Sequence, residues 1–297
     1  MSTGRIISLG SISPLKGVLC MVGAGLFLTL NDAVLKWLTG DYPVGQIMFL
    51  RGLFVFLPII LLVWHAGGPR SLRVGRITPH LLRGALMVAG TFLFINGLRH
   101  LPFADAISIT FAGPLFVTAL AAPLLGEVIR WRRWLAVGIG FAGVLIIIRP
   151  TSEVAQWAAI FPLAASVTGA LRDILTRKMS QHDSSIAVMF YSTIAVTAAG
   201  GVTFVGGWEP VQLEDIGLFF LCGFLLGCAH FLMIEAFRLA EAALVVPFKY
   251  VSMVWAVVLG LVIWGDIPDA WTFAGAAVVI GSGLYILHRE RASKTEG

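Results

Sequence analysis

Apolar residues run along this chain in long uninterrupted blocks, not in the period-two alternation of barrel strands. Each block approaches the roughly 20 residues that a helix needs to cross a bilayer. Charges and Gly/Pro clusters bound the blocks and predict ten helices. Five cover Leu15 to Trp37, Val44 to His65, His80 to Leu98, Ala104 to Leu125 and Trp134 to Ile148. The other five cover Val154 to Thr176, Ser185 to Gly207, Ile216 to Phe237, Ala242 to Trp264 and Trp271 to His288. The first block follows Arg5 and Lys16 like a signal peptide, but it has no small-residue cleavage site and ends in Asn31, Asp32 and Lys36. It reads as a retained span.

Composition narrows the class further. Only 12% of the 297 residues are charged and 58% are hydrophobic, whereas ordinary globular chains carry about 25% charged residues. A soluble enzyme, a disordered chain and a nucleic-acid binder are excluded, and the partner is the lipid bilayer. The net charge of +5 therefore matters through its distribution among loops. With the N-terminus inside, fourteen Lys and Arg fall on inner segments, among them Arg70, Arg73, Arg76, Arg130, Arg132 and Arg133. Three, Lys36, Arg99 and Arg149, fall on outer ones. This asymmetry predicts cytoplasmic termini in an all-α multi-pass membrane protein. Cys20, Cys222 and Cys228 lie inside apolar runs and read as packing residues, not reactive thiols.

The chain also matches itself. At a shift of 141, Ala24, Leu30, Asp32, Met48, Phe49 and Val55 fall on Ala165, Leu171, Asp173, Met189, Phe190 and Val196. At a shift of 139, Phe92, Leu93, Ile95, Arg99, Leu120 and Gly126 fall on Phe231, Leu232, Ile234, Arg238, Leu259 and Gly265, with Glu127 on Asp266. Residues 1–150 and 151–297 are thus expected to be two five-helix repeats. An odd number of spans inverts the second copy relative to the first, which is the architecture of secondary transporters.

The segments FAGPLFVTALAAPLLGE, ending at Glu127, and VVPFKYVSMVWAVVLGLVIWGD, ending at Asp266, complete a resemblance to the EamA branch of the drug/metabolite transporter superfamily. It covers essentially the whole chain and carries over at Pro114, Gly126 and Glu127, and at Pro247, Gly265 and Asp266, where Asp replaces the usual Glu. The resemblance implies a cavity lined mainly by the first, third, fourth, sixth, eighth and ninth helices. Such families include amino-acid and metabolite exporters and uptake carriers for riboflavin or S-adenosylmethionine.

Other motifs weigh little. Gly138, Gly140 and Gly143 formally match a dinucleotide fingerprint, but inside a spanning helix they read as packing glycines, as do Gly223 and Gly227. No catalytic signature, cofactor motif or metal-ligand spacing is present, so the chain does not read as an enzyme. The informative residues are ionisable or polar groups deep in apolar runs, each costly there and hence a candidate for function. Lys249, just after Pro247, is assigned to a substrate anion, with pairing to Glu235 as its structural reading. Tyr250, Asn31, Asn96, Thr110 and Trp255 complete the substrate-binding set. Asp32, Arg83, Arg172, Asp173, His230 and Glu235 are assigned to coupling or charge balance, with an i,i+4 pair of Asp32 and Lys36 as the plain alternative. Arg51 is read as snorkelling to the outer face. The expected function is export of amino acids or related small-molecule substrates by alternating access. Uptake of riboflavin or S-adenosylmethionine is the alternative within the fold, and a membrane enzyme or scaffold the alternative outside it.

Overall fold

The structure is a computed structural model that describes residues 14–125, 131–148, 157–179, 183–239, 246–265 and 269–295. Among these the chain is helical, without strands. In order come α1 (Pro14–Leu38), α2 (Val44–His65), α3 (Thr78–His100), α4 (Phe103–Thr110), α5 (Gly113–Leu125) and α6 (Trp131–Ile148). Then follow α7 (Ile160–Met179), α8 (Ser185–Val202), α9 (Asp215–Leu239), a 3-10 turn (Val246–Tyr250), α10 (Val251–Trp264) and α11 (Ala270–Thr295). α1, α2, α3, α8 and α9 are long and apolar enough to cross a membrane, and Phe103–Val117, Trp134–Ile147, Phe248–Trp264 and Ala270–Ser282 form shorter apolar helices.

Two expected helices are not continuous. The fourth divides at Phe111 and Ala112, whose amides bond back by i−3 to the carbonyls of Ser108 and Ile109 at 3.2 and 3.1 Å. The cause is local: Pro114 has no amide to give the Thr110 carbonyl one turn back. That carbonyl accepts instead from the Ser166 hydroxyl of α7 at 3.4 Å. The ninth helix is likewise tightened to a 3-10 turn around Pro247 before α10 starts. Phe111 and Tyr250, equivalent at the shift of 139, meet with ring centroids 5.6 Å apart. The two interruptions therefore touch.

Packing follows a pattern that survives exchange of the two halves. α1 lies on α9 as α7 lies on α3, α2 pairs with α8, α6 with α11, and α10 meets α1 as α5 meets α7. Contacts repeat it residue by residue. At one end His80 bonds Asp183 at 3.1 Å. Their counterparts at shifts of 139 and 141, Phe219 and Tyr42, meet edge to face at 5.1 Å. The Tyr42 hydroxyl donates to Asp215 at 2.5 Å. Its burial, with that carboxylate beside it, holds the phenol above its ordinary pKa.

The bundle has a large apolar core, yet it also buries polar and charged side chains while leaving large apolar ones on its outer surface. Leu57, Ile60, Leu61, Trp64, Leu81, Leu82, Leu145 and Val262 are exposed, while Asn31, Asp32, Gln46, Arg51, His80, Arg83 and Ser192 are buried. Close approach depends on small residues. Gly223 and Gly227 of α9 admit Phe54 and Pro58 of α2, and Gly140 admits Leu115 and Ser282. Gly138 faces open space, so packing explains two of the three fingerprint glycines. Between α6 and α11 a Cβ on Gly143 would stand 2.8 Å from the Gly275 carbonyl, and one on Gly275 2.6 Å from the Gly143 carbonyl. Gly275→Val should destabilise by about 1–3 kcal/mol through overpacking, read as a lowered Tm in detergent. An unchanged Tm would mean that α6 and α11 are not in contact.

Candidate functional site

Charged side chains from α3, α7, α9 and the 3-10 turn lie within ion-pair or electrostatic reach of one another. Arg172 of α7 donates through Nε and Nη2 to Asp173 Oδ1 at 2.9 and 2.7 Å. Lys249 Nζ stands 3.9 Å from the other carboxylate oxygen. From α3, Arg83 donates to Thr176 Oγ1 at 2.7 Å, to the Val188 carbonyl at 3.3 Å and to the Ser192 hydroxyl. His230 of α9 lies within electrostatic reach of Arg172, Arg83, Arg51 and Asp173. The side chains of Arg172, Asp173 and Lys249 are 26%, 37% and 28% exposed. Ionic groups at membrane depth require partners or a wet cavity, and these find one another across helices while remaining partly exposed.

Two donors lie on the same stretch of chain as Lys249. The Tyr250 hydroxyl and the Trp255 indole N–H are buried with no hydrogen-bond partner among the described residues, which costs about 1–3 kcal/mol for each such group. Arg172 Nη1 has the Met87 thioether at 3.7 Å, a weak acceptor. With the Phe111–Tyr250 ring pair beside them, these groups suit a ligand that brings a carboxylate and a planar ring. Thr110 sits at the break in the first half, its hydroxyl donating to the Ile107 carbonyl at 2.6 Å.

A second polar cluster joins α1, α2 and α9. Asn31 Nδ2 donates to Asp32 Oδ1 at 2.8 Å, and the Cys222 thiol donates to Asn31 Oδ1 at 3.0 Å. Arg51 acts electrostatically on both Asp32 and Cys222. At 5% exposure, Arg51 is a core residue. The expected snorkelling is overturned because Asp32 and the helix interface supply the partners that water would otherwise give. Lys36 does not turn to Asp32; it donates to the Leu98 and Leu101 carbonyls at 3.4 and 2.6 Å and lies over the Trp264 ring at 5.8 Å. It thereby meets the negative end of the α3 dipole.

The structure brings Arg83, Arg172, Asp173, His230, Lys249 and Tyr250 together, and Asn31 and Asp32 into the second cluster. It does not bring Asn96 to either: its amide donates to the Phe92 carbonyl of its own helix, on the face that carries exposed Phe92 and His100. Glu235 lies near Cys20 of α1, while Lys249 turns to Asp173. Gly126, Glu127 and Asp266 fall outside the described residues, as does the Pro247 side chain. Sequence reading missed Thr176, Ser166, Met87 and Phe111 as site neighbours; Phe111 was within reach as the repeat equivalent of Tyr250. Among the described residues no group of three or more His, Cys, Asp or Glu forms a metal site. Two surface hollows of about 300 and 420 Å³ lie at the other end of the bundle, by Tyr42 and Glu209 and by Lys36 and Arg99. Leu98, beside the larger one, is roughly 22 Å along α3 from Arg83 at 1.5 Å per residue, so neither hollow belongs to this site. Arg83→Lys cannot keep the forked contacts to α7 and α8; it should cost about 1–3 kcal/mol, seen as a lowered Tm in detergent, and an unchanged Tm would deny Arg83 this bracing role.

The model of the EamA-like transporter family matches residues 15–149 and 156–287. An S-adenosylmethionine uptake transporter of Rickettsia bellii (strain RML369-C) is 29% identical, covering 93% of this chain and 96% of its own. A riboflavin transporter of Rhizobium johnstonii is 27% identical over 92% and 91%. A pseudopaline exporter of Pseudomonas aeruginosa is 27% identical over 89% and 93%. One solved crystal structure superposes with a TM-score of 0.68 at 17% identity, covering 96% of this chain and 100% of that one, a likeness of fold.

Proposed function

The chain belongs to the EamA-like transporter family, and on that premise we propose that it is an uptake carrier for a carboxylate-bearing metabolite with a planar ring, S-adenosylmethionine being the lead candidate. The observation that carries this reading is the run Arg172–Asp173–Lys249 beside Tyr250 and Phe111. Lys249 and Arg172 hold the substrate carboxylate, Asp173 its ammonium, and Tyr250 with Trp255 hydrogen-bonds or stacks on the ring. Arg83 and His230 balance the charge of the site. Asn31, Asp32 and Glu235 hold charges and polar groups elsewhere along the path, and Thr110 marks the break opposite Lys249.

The carrier has ten spans in two inverted repeats, residues 1–150 and 151–297, with both termini in the cytoplasm of a bacterial cell and the chain in its inner membrane. Support comes from the self-match of the sequence, the loop charges and the pairing of helices that survives exchange of the halves. Export of free amino acids is the second reading, favoured by the kinship to an exporter and by the fact that a carboxylate-and-ammonium site suits any amino acid. Riboflavin has no carboxylate, so its transport would leave Lys249 without a role.

Counterflow in proteoliposomes loaded with amino acids, riboflavin and S-adenosylmethionine, read by mass spectrometry, tests this. S-adenosylmethionine should exchange, and Lys249→Ala should slow it by about 10-fold or more, as loss of a hydrogen bond to a charged group predicts. Exchange of free amino acids alone would select the exporter reading, and normal exchange by Lys249→Ala would overturn the site. In a protein lacking native cysteines, Val205→Cys in whole cells should react with an impermeant maleimide and Arg73→Cys only after permeabilisation; the reverse would overturn the orientation.

A further inference from the structure

The two polar clusters are equivalents of one another under the internal repeat. At a shift of 141, Asn31 and Asp32 correspond to Arg172 and Asp173, and Arg51 to Ser192; at 139, Arg83 corresponds to Cys222. The contacts correspond too. Residue 31 donates to the carboxylate of 32 as residue 172 donates to that of 173. Arg83 on α3 meets Ser192 on α8, and Cys222 on α9 faces Arg51 on α2. Each cluster therefore holds one aspartate within electrostatic reach of an arginine on another helix, Arg51 for Asp32 and Arg83 for Asp173, with the arginine placed on opposite members of the equivalent helix pair.

The clusters differ in access. Asn31, Asp32, Arg51 and Cys222 are 1%, 7%, 5% and 0% exposed. Arg83 and Ser192 are buried as well, but the side chains of Arg172 and Asp173 are 26% and 37% exposed. The open aspartate is six residues from the end of α7, and the closed one six residues from the end of α1. Beyond the closed one, Lys36 bonds to the end of α3 and lies over Trp264 of α10. Inverted halves that exchange conformations would exchange these environments.

Resting on the carrier reading above, we propose that Asn31, Asp32, Arg51 and Cys222 form a second charged station of the transport path for the substrate's carboxylate-and-ammonium group, shut in this state and opened in the opposite-facing state as the Asp173 station shuts. Asp32 and Arg51 hold each other in the shut state, and their rearrangement frees both to meet the two charges of the substrate. His230, which senses Arg51 as well as Arg83 and Arg172, stands between the stations.

Cys222 is a built-in reporter. In a Cys20→Ser/Cys228→Ser protein in nanodiscs, its rate of maleimide modification is measured by mass spectrometry with and without saturating S-adenosylmethionine or an amino-acid mixture. A second protein, also lacking Cys222, carries Met87→Cys to report the Asp173 side. Asp32→Asn should raise Cys222 labelling and lower Met87→Cys labelling, each by about 10-fold, the scale set by removing one hydrogen-bonded charge from a two-state balance. Asp173→Asn should do the opposite. Should a carboxamide variant fail to fold, the parent still decides: transported substrate should change the two labelling rates in opposite directions. Response at position 87 with Cys222 unreactive throughout would overturn the second station and leave the carrier reading intact. Response at neither position, together with absent counterflow, would overturn both.

Discussion

A charge inside a bilayer has no water to lean on, and that constraint arranges the rest of this protein. Lipid cannot solvate a guanidinium or a carboxylate, so such groups must find partners or a wet cavity within the bundle. Arg51, Arg83 and Asp32 are buried, Asp173 is met by Arg172 and Lys249, and the outer surface is left mainly to Leu, Ile, Val, Phe and Trp. Helices come close enough for these contacts because glycines stand at the crossings: Gly223 and Gly227 against α2, and Gly143 against Gly275.

The same constraint explains why the broken helices lie in the interior. A proline that frees a carbonyl would leave an unmet acceptor in lipid, but here the Thr110 carbonyl takes the Ser166 hydroxyl. The break in each half is tolerated because the other half faces it, and the Phe111–Tyr250 contact is where they meet. Lys249 is delivered to Asp173 by the second of these breaks. A continuous helix would not put a lysine beside Asp173 and a phenol beside Phe111 by the same route.

The asymmetry between the halves carries the functional content. Equivalent positions hold Asn31 and Arg172, or Arg51 and Ser192, so the two clusters share an aspartate but place their arginines differently. One is buried throughout and the other is partly exposed. A carrier needs this inequality, since a path open to both sides at once would be a channel. Kinship to carriers of S-adenosylmethionine, riboflavin and pseudopaline fits a site of cations, a carboxylate and rings whose details can be retuned.

The sequence by itself determined the class, the family and most helix boundaries, because spanning segments are a local property of composition and length: α2 begins and ends at the expected residues. The self-match that sets Asp32 against Asp173 was legible in it too. Which charges meet was decided only by tertiary structure. Arg51 pointed outward when judged from its own helix, and Asn96 inward; the fold reversed the first and left the second on an exposed face. Lys249 was weighed against Glu235 from a neighbouring helix, yet it meets Asp173, 76 residues away. Depth along a helix is legible from position in the run. The direction in which a side chain points depends on what packs against that helix, and packing partners from the other half of the chain leave no mark on the local sequence.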